Sequence, residues 1–119
     1  MAVRSTVLGH GTTSGSVPVS IFTCPAGFVA ICKNIAGGGN FFAANAESFF
    51  VVLYQPSGGS AFPIYGGYTF TDSIGGLGAL QLANDSVWQA LEPGDQLLIA
   101  DNGGATSSVV ASGALLLNS

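Results

Sequence analysis

A chain of 119 residues bounds a single domain with one core. It is 48% hydrophobic and only 7% charged, with 18 glycines and a net charge of −4, where an ordinary soluble domain is about 25% charged and about 7% glycine. Two cations, Arg4 and Lys33, are too few to neutralise a phosphate backbone or an anionic bilayer, so neither nucleic acid nor a membrane is an expected partner.

In chain order, residues 1–16 are rich in Ser, Thr and Gly around a small apolar island at Val7-Leu8. Such a segment buries too little to offset its own ordering entropy, and it is expected as a flexible N-terminal arm ahead of one domain at 17–119. The arm is either a loose terminus or a clamp that orders on a partner, with Val7 and Leu8 as apolar anchors and Arg4 and His10 as further contacts. From Val17 the pattern alternates as in a half-buried strand through Val19, Ile21 and Thr23, up to the turn Cys24-Pro25-Ala26-Gly27. Residues 28–35 are apolar on both faces, as in a covered strand, and Ala36-Gly37-Gly38-Gly39-Asn40 breaks them. Residues 41–46 read as loop. Residues 47–55 read as strand, because the aromatic and β-branched run Phe49–Tyr54 closes on Gln55-Pro56-Ser57-Gly58-Gly59.

Ala61–Phe70 is aromatic-rich and bent by Pro63 and Gly66-Gly67, while Ile74–Leu82 carries three glycines and is at best an edge strand. Ser86–Leu91, Gln96–Ala100 and Ser107–Leu117 are clearer strands. They are separated by Glu92-Pro93-Gly94-Asp95 and by Asp101-Asn102-Gly103-Gly104, in which Asn-Gly is a strong hairpin signal. About seven or eight short strands with no helix-length periodic segment indicate an all-β antiparallel sandwich or barrel with essentially no helix. The longest strongly apolar run, Phe49–Tyr54, is far below the ~20 residues a membrane helix requires. Met1–Thr6 opens no secretory signal, so synthesis in a cytoplasm is expected.

Residues able to carry chemistry are sparse. Cys24 and Cys32 flank the Pro25–Gly27 turn; read as a hairpin tip, it puts Cys24 opposite Phe28 and Cys32 opposite Ser20. The sulfurs would then lie roughly 13 Å apart at strand rise, beyond a disulfide's Cα limit of about 7 Å, and two buried free thiols are expected. His10 is the only histidine, which argues against a catalytic triad, a two-histidine metal site or a cupin centre. Glu92 and Asp95, on a tight turn, are expected to face solvent and to hydrate or cap it rather than form a glycosidase pair. Asp101 and Asn102 offer too few oxygens for calcium. No catalytic, metal or cofactor residue is assigned, and the chain is not read as an enzyme. Tyr54, Phe62, Tyr65, Tyr68, Phe70 and Trp88 are the best ligand candidates, with Tyr54, Tyr65, Tyr68 and Trp88 as exposed rings that would stack on sugars. The alternative is that alternate aromatics fill the core while others line a subunit interface.

Two stretches carry a resemblance. Ile21-Phe22-Thr23-Cys24-Pro25-Ala26-Gly27-Phe28-Val29-Ala30 resembles the opening of small β-sandwich proteins of tailed-phage virions. Leu91-Glu92-Pro93-Gly94-Asp95, a further strand, and Val109-Val110-Ala111-Ser112-Gly113-Ala114 resemble the same group's ending. Such proteins are capsid decoration (cement) proteins, head fibres or tail accessories, several with jelly-roll topology. The resemblance spans roughly residues 17–117 and rests mostly on turn chemistry; the departure from the group is the very low charge.

The combined expectation is a jelly-roll-like sandwich whose core includes Val19, Ile21, Val29, Ile31, Phe50, Val52, Trp88, Leu91, Leu97, Ile99 and Val110. Charged residues are depleted from interface cores, so a charge-poor exterior implies a homo-oligomer, a trimer before a dimer. The resemblance implies a structural virion protein on the capsid exterior that bridges subunits of the major capsid protein. The alternative is a glycan-binding or host-attachment module of a fibre or tail.

Overall fold

The computed structural model describes residues 6–13, 15–41, 47–70, 79–101 and 106–117, with side chains described except at 38–41, 47–48, 68–70, 79–85 and 106. These residues form eight strands: β1 (Thr6–Thr13), β2 (Val19–Thr23), β3 (Phe28–Phe41), β4 (Glu47–Gln55), β5 (Phe62–Phe70), β6 (Ala79–Leu91), β7 (Gln96–Asp101) and β8 (Thr106–Leu117). They pair into two four-stranded sheets, sheet I in the order β1-β8-β3-β6 and sheet II in the order β2-β7-β4-β5. Every pairing is antiparallel. This is a jelly roll, the eight-stranded double Greek key that the turn spacing anticipates.

Successive strands switch sheets at every connection except β4–β5, a hairpin closed by Gly59 N–H donating to the Pro56 carbonyl at 2.9 Å. The hairpin expected at Pro25–Gly27 is therefore corrected: β2 pairs with β7 and β3 with β6 and β8, so the turn carries the chain from one sheet to the other. Cys24 and Cys32 are nonetheless free and buried. Likewise β7 and β8 belong to different sheets, although Asn102-Gly103 itself lies outside the described residues. Of 41–46, read as loop, Phe41 instead ends β3 by pairing with Ala79, while 42–46 and 71–78 lie outside the described residues. The glycine-rich residues 37–40 do not end β3, because β6 and β8 bracket them on both sides and supply their backbone partners.

The separate N-terminal arm is corrected for residues 6–13, which form β1 on the edge of sheet I, paired with β8 from Thr6↔Gly113 to Thr13↔Ser107. Leu8 packs against the core. Gly9 allows β1 to lie close against β2, where a Cβ would run into the Ile21 carbonyl oxygen. The segment is held by backbone pairing and close approach, which its polar composition does not reveal.

The core joins Cys24, Ala30, Cys32, Ile35, Phe50, Val52, Leu91, Leu97, Ile99, Val109 and Ala111. Five expected members, Phe50, Val52, Leu91, Leu97 and Ile99, are among them, and Ile21 packs partly buried against them. Val19, Trp88 and Val110 are corrected to exposed positions, Trp88 at 75%. Val29 and Ile31 are half-buried on the outer face, since Ala30 and Cys32 hold the inner positions of β3. The physical reason is phase. Register shifts at Cys32/Asn34 and Ser20/Phe22 reset the inside–outside alternation, and strands apolar on both faces give no polar residue to mark the outside. Phe50, from β4, fills the space between the sheets: Gly37 of β3 and Gly67 of β5 flank its ring, and a Cβ at Gly67 would overlap it.

Candidate interaction surfaces

At one end of the sandwich the β2–β3, β4–β5 and β6–β7 turns converge on Asp95. Its Oδ1 accepts the Ser57 N–H at 2.8 Å, and its Oδ2 accepts the Tyr54 hydroxyl at 2.7 Å and the Glu92 N–H at 2.9 Å. The Asp95 carbonyl accepts the Cys24 N–H, and Gly94 N–H donates to the Cys24 carbonyl, both at 2.9 Å. Burial works to raise the Asp95 pKa, but the donations from Ser57, Tyr54 and Glu92 outweigh it and hold the carboxyl below its ordinary value. The hydrogen bond to Asp95 in turn raises the Tyr54 phenol, with burial adding to it. The expectation that both turn carboxylates face solvent is thus corrected: Glu92 is exposed and Asp95 is 4% exposed. A short-range turn motif conceals this, because the donors at Tyr54 and Ser57 come from a distant hairpin.

A second carboxylate is also internal. Asp101 is buried, accepts the hydroxyl of buried Ser107, and donates its backbone N–H to the Gly15 carbonyl at 2.9 Å. Of the charged residues whose side chains are described, Lys33 and Glu92 therefore remain on the outside. Arg4, Glu47, Asp72 and Asp85 are outside the described side chains. The described exterior is poorer in charge for the inward placement of Asp95 and Asp101. Among the described residues no group of three potential metal-ligating side chains comes together. The thiols are inward and shielded, with burial pushing the Cys32 pKa up to about 11.

The outer face of sheet I gathers Val7 and His10 from β1, Val110 from β8, Val29, Ile31 and Lys33 from β3, and Trp88 and Ala90 from β6. The register fixes this shared side through Val7↔Ser112, His10↔Val110 and Ile31↔Ala90. Lys33 Nζ lies 5.6 Å from the centroid of the Trp88 ring, a cation–π distance. Of the expected contacts, Val7 and His10 are exposed here, Leu8 turns inward, and Arg4 lies outside the described residues.

The outer face of sheet II carries Phe49, Val51 and Leu53 of β4 beside Ala100 and Leu98 of β7, matched in register as Val51↔Ala100 and Leu53↔Leu98. Leu98 and Ala100 are buried yet stand apart from the central core cluster, because they lie on the opposite side of the sheet. Ser16, Phe49, Phe50, Val51, Ala100 and Asp101 line a shallow apolar depression of about 270 Å³ at its margin. Of the ligand candidates whose side chains are described, Tyr54 and Phe62 meet, and Trp88 stands apart from them. Tyr54 and Tyr65 pack against the core, with Tyr65 6.1 Å from Phe50 and Tyr54 5.8 Å from Phe62. Trp88 is on the other sheet, and the Tyr68 side chain is outside those described. The signal for this face was the run Phe49–Tyr54, in which outward positions are as apolar as inward ones.

No protein-family model matches the sequence, and no curated protein matches it. Similar solved structures include Eiger TNF from S. frugiperda, 8% identical with a TM-score of 0.55, covering 98% of this chain and 90% of that one. A chain of the T13 infectious bursal disease virus particle is 10% identical with a TM-score of 0.44, over 98% of this chain and 31% of that one. A pilus protein of Bacillus endospore appendages is 9% identical with a TM-score of 0.45, over 99% and 88%. At these identities the TNF likeness shows the jelly-roll fold and nothing finer.

Proposed function

We propose that this chain is a structural, non-enzymatic virion protein that decorates the exterior of a phage capsid and stabilises it by bridging neighbouring shell subunits. The observation that carries the reading is the exterior. With Asp95 and Asp101 folded inside, the described outer surface is left with Lys33 and Glu92 as its charges and with Val7, Trp88 and Val110 exposed to solvent. Apolar area of that kind marks an interaction site rather than a free monomer surface. The outer face of sheet I is the surface assigned to the shell: Trp88, capped on one side by Lys33, is the type of residue that dominates binding energy at an interface centre. Val7 and His10 of β1 extend the same face. Binding the assembled shell but not its dissociated subunits stabilises the shell by mass action. For the glycan-binding alternative, Phe62 and Trp88 are the exposed rings among the candidates whose side chains are described, and they lie on different sheets, while Tyr54 and Tyr65 pack against the core.

Electron microscopy of purified particles tests the proposal. Many copies spread over the head are expected. A few copies at the tail tip would transfer the chain to the attachment class, and absence from particles would overturn the virion reading altogether.

A further inference from the structure

β3 is paired on both sides, and both registers slip at the same place. Against β8 the pairs run Cys32↔Gly113 and then Asn34↔Ser112, and against β6 they run Cys32↔Gln89 and then Asn34↔Ser86. Lys33 is therefore the extra residue of a β-bulge against β8, and against β6 it stands opposite two residues, Val87 and Trp88. A bulge gives up ladder hydrogen bonds and re-aims the side chain it carries. Its neighbour is fitted to it: a Cβ at Gly113 would run into the Ile31 carbonyl oxygen and stand 2.9 Å from the Lys33 nitrogen, so glycine lets β8 follow the bulge. The result is a lysine whose Nζ is held 5.6 Å from the centroid of the Trp88 ring.

This pair is open to a partner. Trp88 is 75% exposed, and Val7 at 57% and Val110 at 40% extend the same face. Lys33 stands on an interior strand of sheet I and is the one charged side chain described on its outer face. Among the described residues no carboxylate pairs with it, since Asp95 and Asp101 are inside and Glu92 lies beyond the end of β6.

We infer that this face docks on a protein surface that presents a carboxylate to Lys33 within an apolar surround. That surface is the shell subunit of the proposed function, and the inference rests on that reading. Charge complementarity decides the occupant. Contact that covers Trp88 also takes water from the ammonium beside it, and an ion stripped of water without a counter-ion is strongly unfavourable. The indole face offsets only a small part of that. A carboxylate opposite restores the balance and adds charge-assisted hydrogen bonds. The same face of a second copy brings another Lys33 and no described carboxylate, so self-pairing through it sets like charges together. A polyanion calls for several cations in one place, and the chain has two in all. A saccharide would stack on Trp88, but Lys33 takes one side of that ring and the exposed ring of Phe62 is on the other sheet.

The test separates the charge of Lys33 from its bulk. Lys33→Met, checked for folding by circular dichroism, should co-sediment with purified particles at least about 30-fold more weakly, because it leaves the partner's carboxylate buried and unpaired. Loss of the cation–π contact alone accounts for about two- to fivefold. Lys33→Gln repeats the measurement if methionine disturbs the bulge, and Lys33→Arg should recover most of the affinity. Lys33 is the only lysine in the chain. Carbodiimide, which joins an amine to a carboxylate in direct contact, should therefore link Lys33 to an aspartate or glutamate of the shell subunit, located by mass spectrometry. A neutral variant that binds as tightly as wild type, or a Lys33 cross-link to a second copy or to nothing, would overturn the inference and leave the capsid reading standing. Displacement of the wild type by millimolar glucuronate would overturn it in favour of an acidic saccharide. Wild type that leaves particles unbound would overturn the capsid reading and this inference with it.

Discussion

Replacing Asp95 by asparagine keeps the shape of the side chain and removes its ability to satisfy the turns around it. The carboxylate accepts three donors through two oxygens. An asparagine offers one oxygen and one NH2 group, so either the Ser57 N–H or the Glu92 N–H must face a donor. A hydrogen bond to a charged acceptor contributes about 1.5–3 kcal/mol, and a buried donor left without an acceptor costs about 1–3 kcal/mol. Part of each is recovered by relaxation, which puts the net loss at about 2–4 kcal/mol. Unfolding entropy of about 2.1 cal/mol/K per residue gives about 250 cal/mol/K for the 119 residues. Asp95→Asn should therefore lower Tm by about 8–16 °C in calorimetry at fixed protein concentration. Tyr54→Phe removes one donor and leaves the carboxylate two, so its loss should be smaller, about 1–2 kcal/mol. An Asp95→Asn Tm within about 2 °C of wild type would refute the claim that this carboxylate holds the turns together.

Three further outcomes follow from the same structure. Because the Asp95 carboxyl pKa is lower folded than in an unfolded chain, its contribution is fully present above the ordinary carboxylate range and is lost as pH falls through its folded value. Urea midpoints measured across that acid range should decline less steeply in Asp95→Asn than in wild type. Gly67→Ala inserts a methyl group into the Phe50 ring, and the overpacking should cost about 1–3 kcal/mol, read as a lower urea midpoint with an unchanged slope. The single tryptophan, Trp88, should be readily quenched by acrylamide in the isolated protein, and protected once the outer face of sheet I is bound.

Strand positions were legible wherever turn chemistry was explicit. Pro56–Gly59 ends β4 and Pro93-Gly94 separates β6 from β7, so the bounds 47–55 and the start at Gln96 could be read directly. What each turn connects was not legible. The same Pro25–Gly27 residues suit a hairpin and a crossing between sheets equally, and long-range pairing decides for the crossing. Inside and outside were legible in β4 and β7 at Phe50, Val52, Leu97 and Ile99, but lost in β6 and β8, where Trp88 and Val110 are as apolar as inward Leu91 and Val109. The Asp95 network was hidden because two of its three donors are 38 and 41 residues away in sequence. The apolar outer faces could be anticipated as a property of the whole surface, from scarcity of charge, but not placed on a sheet.

The position of β8 sets a condition on biosynthesis. It is the most C-terminal strand, yet it lies between β1 and β3, and it is the one strand of sheet I that hydrogen-bonds β1. While the chain is being translated, β3 can pair with β6, but β1 has no neighbour in its sheet until residues 106–117 leave the ribosome. Closure over so long a separation is slow and keeps apolar strands open meanwhile. It also acts as a length check. A product terminated before β8 lacks the strand that joins β1 to β3, so a truncated chain cannot complete sheet I.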